Sequence, residues 1–257
     1  MTHRVEYLLY AFVISMGIVL ALIGIELSLR WQTVFLSVGT SIMATGIVSA
    51  VMRGFLGEPL EPLVNRMDTM IQLKDMSDRT GVVSIRGSRH DLSLEDWRNI
   101  FRNANNSINI LGYAVHFLTD DPEIFSILKQ KAQTHCRIRI VLGDPESPTI
   151  IERTQEEAIE GSISERIRTA LARWQPLMSY DIVEIRLQSI PLYASIYQGD
   201  FTMIVTPQLY GMRAANAPAL SLKFPGTLFE KYTKHFDAIW EHSQPWIPFM
   251  ENPDDQT

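Results

Sequence analysis

Two apolar runs, residues 7–29 and 34–55, open the chain, and only Arg30, Trp31, Gln32 and Thr33 separate them. Each run matches the roughly 20 residues that cross a bilayer as a helix. So short a break predicts a tight turn at residues 30–33 and a helical hairpin whose two ends emerge on one side. Small residues recur within it: Gly17, Ala21 and Gly24 in the first run, Gly39, Ser41, Thr45, Gly46, Ser49 and Ala50 in the second. Four-residue spacing of small side chains lets helix backbones approach closely. That serves packing of the two helices of one chain, and equally a further assembly of hairpins. Glu26 is a carboxylate inside a span, where charge marks function by default. It also lies about one turn from Arg30, where pairing or the interface accounts for it. Arg53 snorkels at the other end, and Trp31 has the chemistry of an interface anchor.

Polar spacing then changes. After Glu58-Pro59-Leu60-Glu61-Pro62, an apolar stripe of Leu63, Val64, Met67, Met70 and Ile71 predicts a helix to about Asp78. It suits a short coiled coil between subunits, or a helix laid on its own domain. Arg79-Thr80-Gly81 breaks the pattern. Strands are expected at 82–86, 107–111 and 137–142, with helices at 91–104 and 122–134 between them. This order implies right-handed crossovers and parallel pairing. A polar helical region covers 150–174, with Gly161-Ser162 as a possible break. Further strands are expected at 182–187, 193–197, 201–205 and 219–224. Gln198-Gly199-Asp200 supplies turn chemistry for a β-hairpin. Pro225-Gly226 stops the last strand before a helix at 227–243. The division expected is a transmembrane hairpin at 1–56, a helical connector at 57–78, an α/β domain at 79–246 and an acidic tail at 247–257.

Charge narrows the function. The 257 residues carry a formal charge of −6, with a pI near 5.5, which makes nucleic acid an unlikely partner. Cys136 is the single cysteine, so no intramolecular disulfide forms. The six histidines show no metal-ligand spacing, and no metal or cofactor is expected. Arg4, the terminal amine, Arg53 and Arg66 flank the outer ends of the hairpin, against Arg30 alone at the turn. The positive-inside bias places both termini in the cytoplasm of a multi-pass inner-membrane protein.

Three segments in order carry a family resemblance: Asn109-Ile110-Leu111-Gly112-Tyr113 after a Trp-bearing helix, then Ile140-Val141-Leu142-Gly143-Asp144-Pro145, then Pro191 to Asp200 in the hairpin. With the closing helix around Phe229 to Trp240, residues 79–245 resemble one catalytic half of the phospholipase D superfamily, and are similar to its membrane-bound bacterial members. The resemblance implies a mixed β-sheet flanked by helices. In active members the hairpin carries His-x-Lys and, after four intervening residues, Asp. The histidine attacks phosphorus and the lysine holds the phosphate charge. Here Tyr193 stands for the histidine, Ser195 for the lysine and Asp200 for the aspartate. The downstream Gly-Ser-x-Asn signature is also missing, with Pro207, Gln208 and Tyr210 in that region.

The resemblance therefore implies the fold more than the activity. Tyr193, Ser195 and Asp200 become candidates for binding rather than cutting. Tyr113, His116 and Asp144 join them, just past strand ends where parallel sheets present ligands, although Gly-Asp-Pro is equally a turn. Since single-motif members pair their motifs, a homodimer or higher homo-oligomer is expected, with a nucleotide or other phosphate-bearing small ligand in the shared cleft. A membrane-tethered sensor, such as a bacterial stress or antiphage effector, fits this layout. A phosphodiesterase with a noncanonical site and a protein-interaction scaffold are the alternatives.

Overall fold

The computed structural model describes residues 2–26, 29–157 and 162–248, side chains at 2–6, 29–30 and 56–61 excepted. Gly161, the acidic tail from Glu251 and the Arg30 side chain lie outside the described set. The chain divides into two compact units, Met1–Leu73 and Lys74–Thr257.

The first unit contains helices α1 (Thr2–Glu26) and α2 (Leu29–Met52). Within them and the turn after α2, Tyr7–Glu26 and Trp31–Phe55 are long and apolar enough to cross a membrane. The turn between the helices is not where the polar residues put it. Arg30 to Thr33 are already helical, within α2. The first turn of a helix needs no intrahelical N–H partner, so polar residues that mark a loop by composition begin a helix without cost. The small residues act at the crossing. A Cβ on Gly17 would lie 2.7 Å from Gly39 O, and one on Gly39 would lie 2.7 Å from Gly17 O. Gly39→Leu is expected to force α1 and α2 apart, read as loss of cross-linking between cysteines introduced at Gly24 and Phe35, whose Cβ positions lie 3.0 Å apart.

A widened turn, Arg53–Gly57, leads into α3 (Glu58–Thr80). Pro62 lies in the second turn of this helix, where its missing N–H leaves the Glu58 carbonyl without its intrahelical donor. Leu63, Val64, Met67, Met70 and Ile71 are exposed. The helix runs through Arg79 and Thr80, and Gly81 ends it with φ at 81°, a left-handed value that glycine adopts freely.

The second unit is built on β1 (Val82–Arg86), α4 (Leu94–Arg102), β2 (Ser107–Leu111), α5 (His116–Thr119), α6 (Pro122–Gln133), β3 (Arg137–Gly143), α7 (Pro148–Glu156), α8 (Ile163–Trp174), β4 (Val183–Gln188), β5 (Ala194–Gln198), β6 (Thr202–Pro207), β7 (Ala219–Lys223), α9 (Thr227–His242) and β8 (Gln244–Pro245). Among the described residues these strands form one eight-stranded sheet, ordered β1-β7-β6-β5-β2-β3-β4-β8. β2, β3 and β4 pair in parallel, and the remaining pairings are antiparallel. The mixed sheet flanked by helices is thus as expected.

Adjacent residues of β5 reveal the layers, since a strand alternates its faces. Tyr197 meets Trp97 of α4 edge-on at 4.9 Å. Gln198 Nε2 donates to Thr233 Oγ1 of α9 (3.0 Å). The sheet is therefore covered on both sides. This explains why β3 alternates only at its start: Ile140, Val141 and Leu142 are all buried, as in a parallel strand with helices on each face. Arg139, in the alternating part, reaches Asp237 of α9 (2.9 Å) and lies over the Phe236 and Trp240 rings.

Two helix boundaries move for local reasons. Ser93 and Asp96 form a capping box, so α4 starts at Leu94 and residues 89–91 are a separate turn capped by Ser88. Ser162 caps α8 through the N–H of Ser164. The junction of α3 with β1 is closed by backbone contact. A Cβ on Gly226 would lie 2.4 Å from Gly81 Cα and 2.8 Å from Thr80 O. Gly226 itself is extended, so space alone requires glycine there. Gly226→Val is expected to cost about 3 kcal/mol, the upper part of the overpacking range because backbone must move. Urea denaturation of the whole chain measures it, with faster amide exchange at Gly81 and Val82.

Candidate functional site

The parallel strands end on one side, and several segments converge there. Tyr113 follows β2, and Gly112 before it has no room for a side chain: a Cβ would meet Val115 Cγ1 at 2.6 Å and Ser195 Oγ at 3.3 Å. Val115 sits at φ 43°, a conformation costly for a β-branched residue. That turn starts α5 and places His116 and Phe117. β5 contributes Ser195 and Tyr197, the chain after β6 contributes Gln208, the turn before α4 contributes Arg89, and α7 and α8 bring Glu157 and Arg166. Together they line a cavity of about 230 Å³.

Its polar groups are organised. Tyr113 Oη accepts the N–H of Leu192 (2.9 Å), and burial pushes its phenol pKa up against that hydrogen bond. Gln208 Nε2 donates to Ser195 Oγ (2.9 Å), and Arg153 Nη2 donates to Gln208 Oε1 (3.1 Å). The buried Arg153 also binds Glu157 (2.7 Å) and the carbonyls of Leu209 and Met212. It therefore holds the loop that presents Gln208. Tyr197 is fully buried. Burial raises its pKa, while Arg89 and the Ser195 hydroxyl act the other way. His116 Nδ1 lies 2.7 Å from Asp120 Oδ2, and Arg173 pairs with the other oxygen of that carboxylate.

Of the six residues singled out in the sequence, Tyr113, His116 and Ser195 line this cavity. Tyr193, Asp144 and Asp200 do not. Tyr193 is 75% exposed. β5 begins only at Ala194, because Pro191 has no N–H and the N–H of Leu192 is taken by Tyr113, so Tyr193 does not continue the face of Ser195. Asp144 builds its turn, accepting the N–H of Glu146 (3.0 Å) and the Ser189 hydroxyl (3.2 Å). Asp200 accepts the N–H groups of Asn105 (2.7 Å), Asn106 (3.0 Å) and Ser107 (2.9 Å) at the start of β2. Burial resists its ionisation, yet these hydrogen bonds prevail and its pKa is lowered. Sequence reading missed Arg89, Glu157, Arg166, Tyr197 and Gln208. Tyr197 had a signal, two residues from Ser195 on the same strand face.

No protein-family model matches the chain, and no curated protein matches it. Among solved structures it is similar to the phospholipase D family member Nuc from Salmonella typhimurium, at 15% identity over 64% of this chain and 99% of that one, TM-score 0.40. It is similar also to NucT from Helicobacter pylori, at 11% identity over 62% of this chain and 92% of that one, TM-score 0.39. A third similar structure is TrmBL2, an archaeal chromatin protein, at 14% identity over 80% of this chain and 71% of that one, TM-score 0.40. These likenesses bear on neither activity nor partners.

Proposed function

We propose that the chain is a membrane-anchored, phospholipase-D-like binding protein whose cavity holds a phosphate-bearing small ligand without cleaving it. The reading is carried by the β5 hairpin. The position of the attacking histidine is Tyr193, outside the cavity, and the position of the phosphate-binding lysine is Ser195, inside it. The cavity offers hydroxyls, an amide and guanidinium groups, which bind an anion, but not the histidine–lysine pair that cuts one. In this reading the hairpin crosses the inner membrane twice with both termini cytoplasmic. A second copy of the chain pairs with the first, and α3 passes ligand occupancy to the spans.

The test uses the whole chain in nanodiscs. A panel of nucleotides and phosphorylated metabolites is expected to raise the melting temperature, and Ser195→Trp, which fills the cavity, is expected to remove the effect. A panel that shifts nothing favours the scaffold reading instead.

One observation favours a second reading, a noncanonical phosphodiesterase. His116 lines the cavity with Asp120 on its Nδ1, the arrangement of a base oriented by a carboxylate. That reading requires turnover of bis(p-nitrophenyl) phosphate that His116→Ala abolishes. Absence of turnover in the intact protein rejects it.

A further inference from the structure

Helix α3 sorts its side chains into two faces. In a seven-residue repeat with Met67 at position a, Leu63 and Met70 fall at d, and Val64 and Ile71 at e. Lys74 takes the next a position. Between Leu63 and Thr80 the outer positions b, c and f hold Asn65, Asp68, Thr69, Gln72, Asp75 and Arg79, with Met76 the apolar exception. Leu63, Val64, Met67, Met70 and Ile71 are each more than half exposed. A contiguous apolar stripe bared to water marks a binding surface. The stripe has a definite end. Ser77, at the following d position, donates its hydroxyl to Val82 O of β1 (2.6 Å), and Asp78 pairs with Lys223 of β7 (3.0 Å). The open stretch is therefore residues 63–74.

Charge separates the occupants. Helices that lie on a lipid surface carry Lys and Arg on the polar face. α3 has five acidic side chains against three basic ones, which an anionic leaflet repels. A second copy of α3 meets no such penalty. Asp68 and Asp75 stand on the outer face, and Asp75 is neutralised by Arg79 of its own helix. Direction is also fixed. α2 ends at Met52 and the five residues Arg53–Gly57 lead into α3. Two copies in one membrane thus present their α3 helices in the same direction and at the same height, the geometry of a parallel pair. A single Lys at a, here Lys74, sets register and strand number at some cost in stability.

Area sets the strength. Burying one such side chain removes roughly 60–120 Å² from water at ~25 cal/mol per Å². Five on each helix cover on the order of 1,000 Å² at most, short of the ~1,200 Å² at which stable complexes begin. We propose that residues 63–74 of α3 pair with the same residues of a second copy as a short parallel coiled coil, sustained by anchoring of both copies in one membrane. Confinement raises the effective concentration of each stripe for the other. The inference rests on the membrane-anchored part of the proposed function and is independent of the cavity.

The whole chain is reconstituted in liposomes at low protein density, with one cysteine introduced at Met67, Met70, Asn65 or Gln72, and oxidised. Cys136 is buried, and burial pushes its thiol pKa up to about 11, so it stays out of the reaction. Met67→Cys and Met70→Cys are expected to give roughly tenfold more disulfide-linked dimer than Asn65→Cys and Gln72→Cys, because the bond needs Cα atoms within ~7 Å. Met70→Glu, at an exposed position, is expected to remove the Met67→Cys cross-link while circular dichroism melting stays unchanged. Dilution in detergent is expected to remove it as well, and a cross-link that survives dilution overturns the role of the shared membrane. Equal cross-linking at all four positions means collision, and none at any position means no pairing; either result overturns the proposal. An environment-sensitive dye at position 70 that reports lipid, without cross-linking there, assigns the stripe to the membrane surface instead. Carbonate extraction reports the anchor separately. A chain that resists extraction but does not cross-link loses the pair and keeps the anchor, and a chain that is extracted loses both.

Discussion

Arg153→Met is expected to lower the unfolding free energy of the Lys74–Thr257 unit by about 3–5 kcal/mol, the cost of removing one partner from a buried ion pair. Arg153 and Glu157 are both buried, at 7% exposure each, and join at 2.7 Å. Methionine fills much of the volume but leaves the Glu157 carboxylate without its guanidinium. It also frees the Leu209 and Met212 carbonyls and the Gln208 amide. Urea denaturation followed by tryptophan fluorescence measures the loss. The double variant Arg153→Met, Glu157→Leu is expected to recover most of it, because no charge is then buried alone. Stability recovered without ligand-induced shift would mean that Arg153 serves the cavity by orienting Gln208. A single variant as stable as the parent would remove the ion pair from the account of this loop.

Asp200→Ala is expected to cost about 2–4 kcal/mol. Hydrogen bonds to an ionised group contribute roughly 1.5–3 kcal/mol, and Asp200 binds three successive backbone N–H groups beside the central strand β2. Partial exposure lets water replace some of them, so the sum stays below three full bonds. The acid dependence has a definite sign. The folded pKa of Asp200 lies below its ordinary value, so folding gains from its ionisation above the unfolded carboxylate pKa of about 3.9. That gain disappears as pH falls through the lower folded value. Asp200→Asn should therefore be less stable than the parent at neutral pH, and the gap should narrow in acid. A gap that is constant with pH would show that the carboxylate charge is not what holds residues 105–107. Asp200 is thus assigned to the fold, and its removal is expected to lower stability whether or not a ligand is present.

The apolar pattern made the two spans, the strands and the closing helix legible, because each is long or periodic enough for burial to leave its mark. The strand from Arg137 was legible by its alternating start, while its doubly buried end came from helices on both faces. Helix α5 was not legible. Its four residues begin at the left-handed Val115, and such a turn is held by tertiary packing rather than by propensity. The hairpin turn was misplaced for the reverse reason: polar composition suggested a loop where the backbone is in its first helical turn.

The site divides in the same way. Tyr113, His116 and Ser195 were found because strand ends and a hairpin motif announce them. Arg89 was not, since nothing in the spacing between a capped turn near residue 89 and a strand near residue 195 couples them. Sheet order does: β7 and β6 lie between β1 and β5 in the sheet, and the Trp97, Phe117 and Tyr197 rings pack into one cluster.

The sequence by itself determined the two apolar spans and the α/β character of the chain that follows the connector helix. These are properties of composition and local period. Tertiary structure alone decided that Tyr193 leaves the cavity, that Asp200 serves the fold, and that an arginine from a distant turn lines the same cavity as Ser195. Each depends on which strand lies beside which, and long-range pairing leaves no periodic trace along the chain.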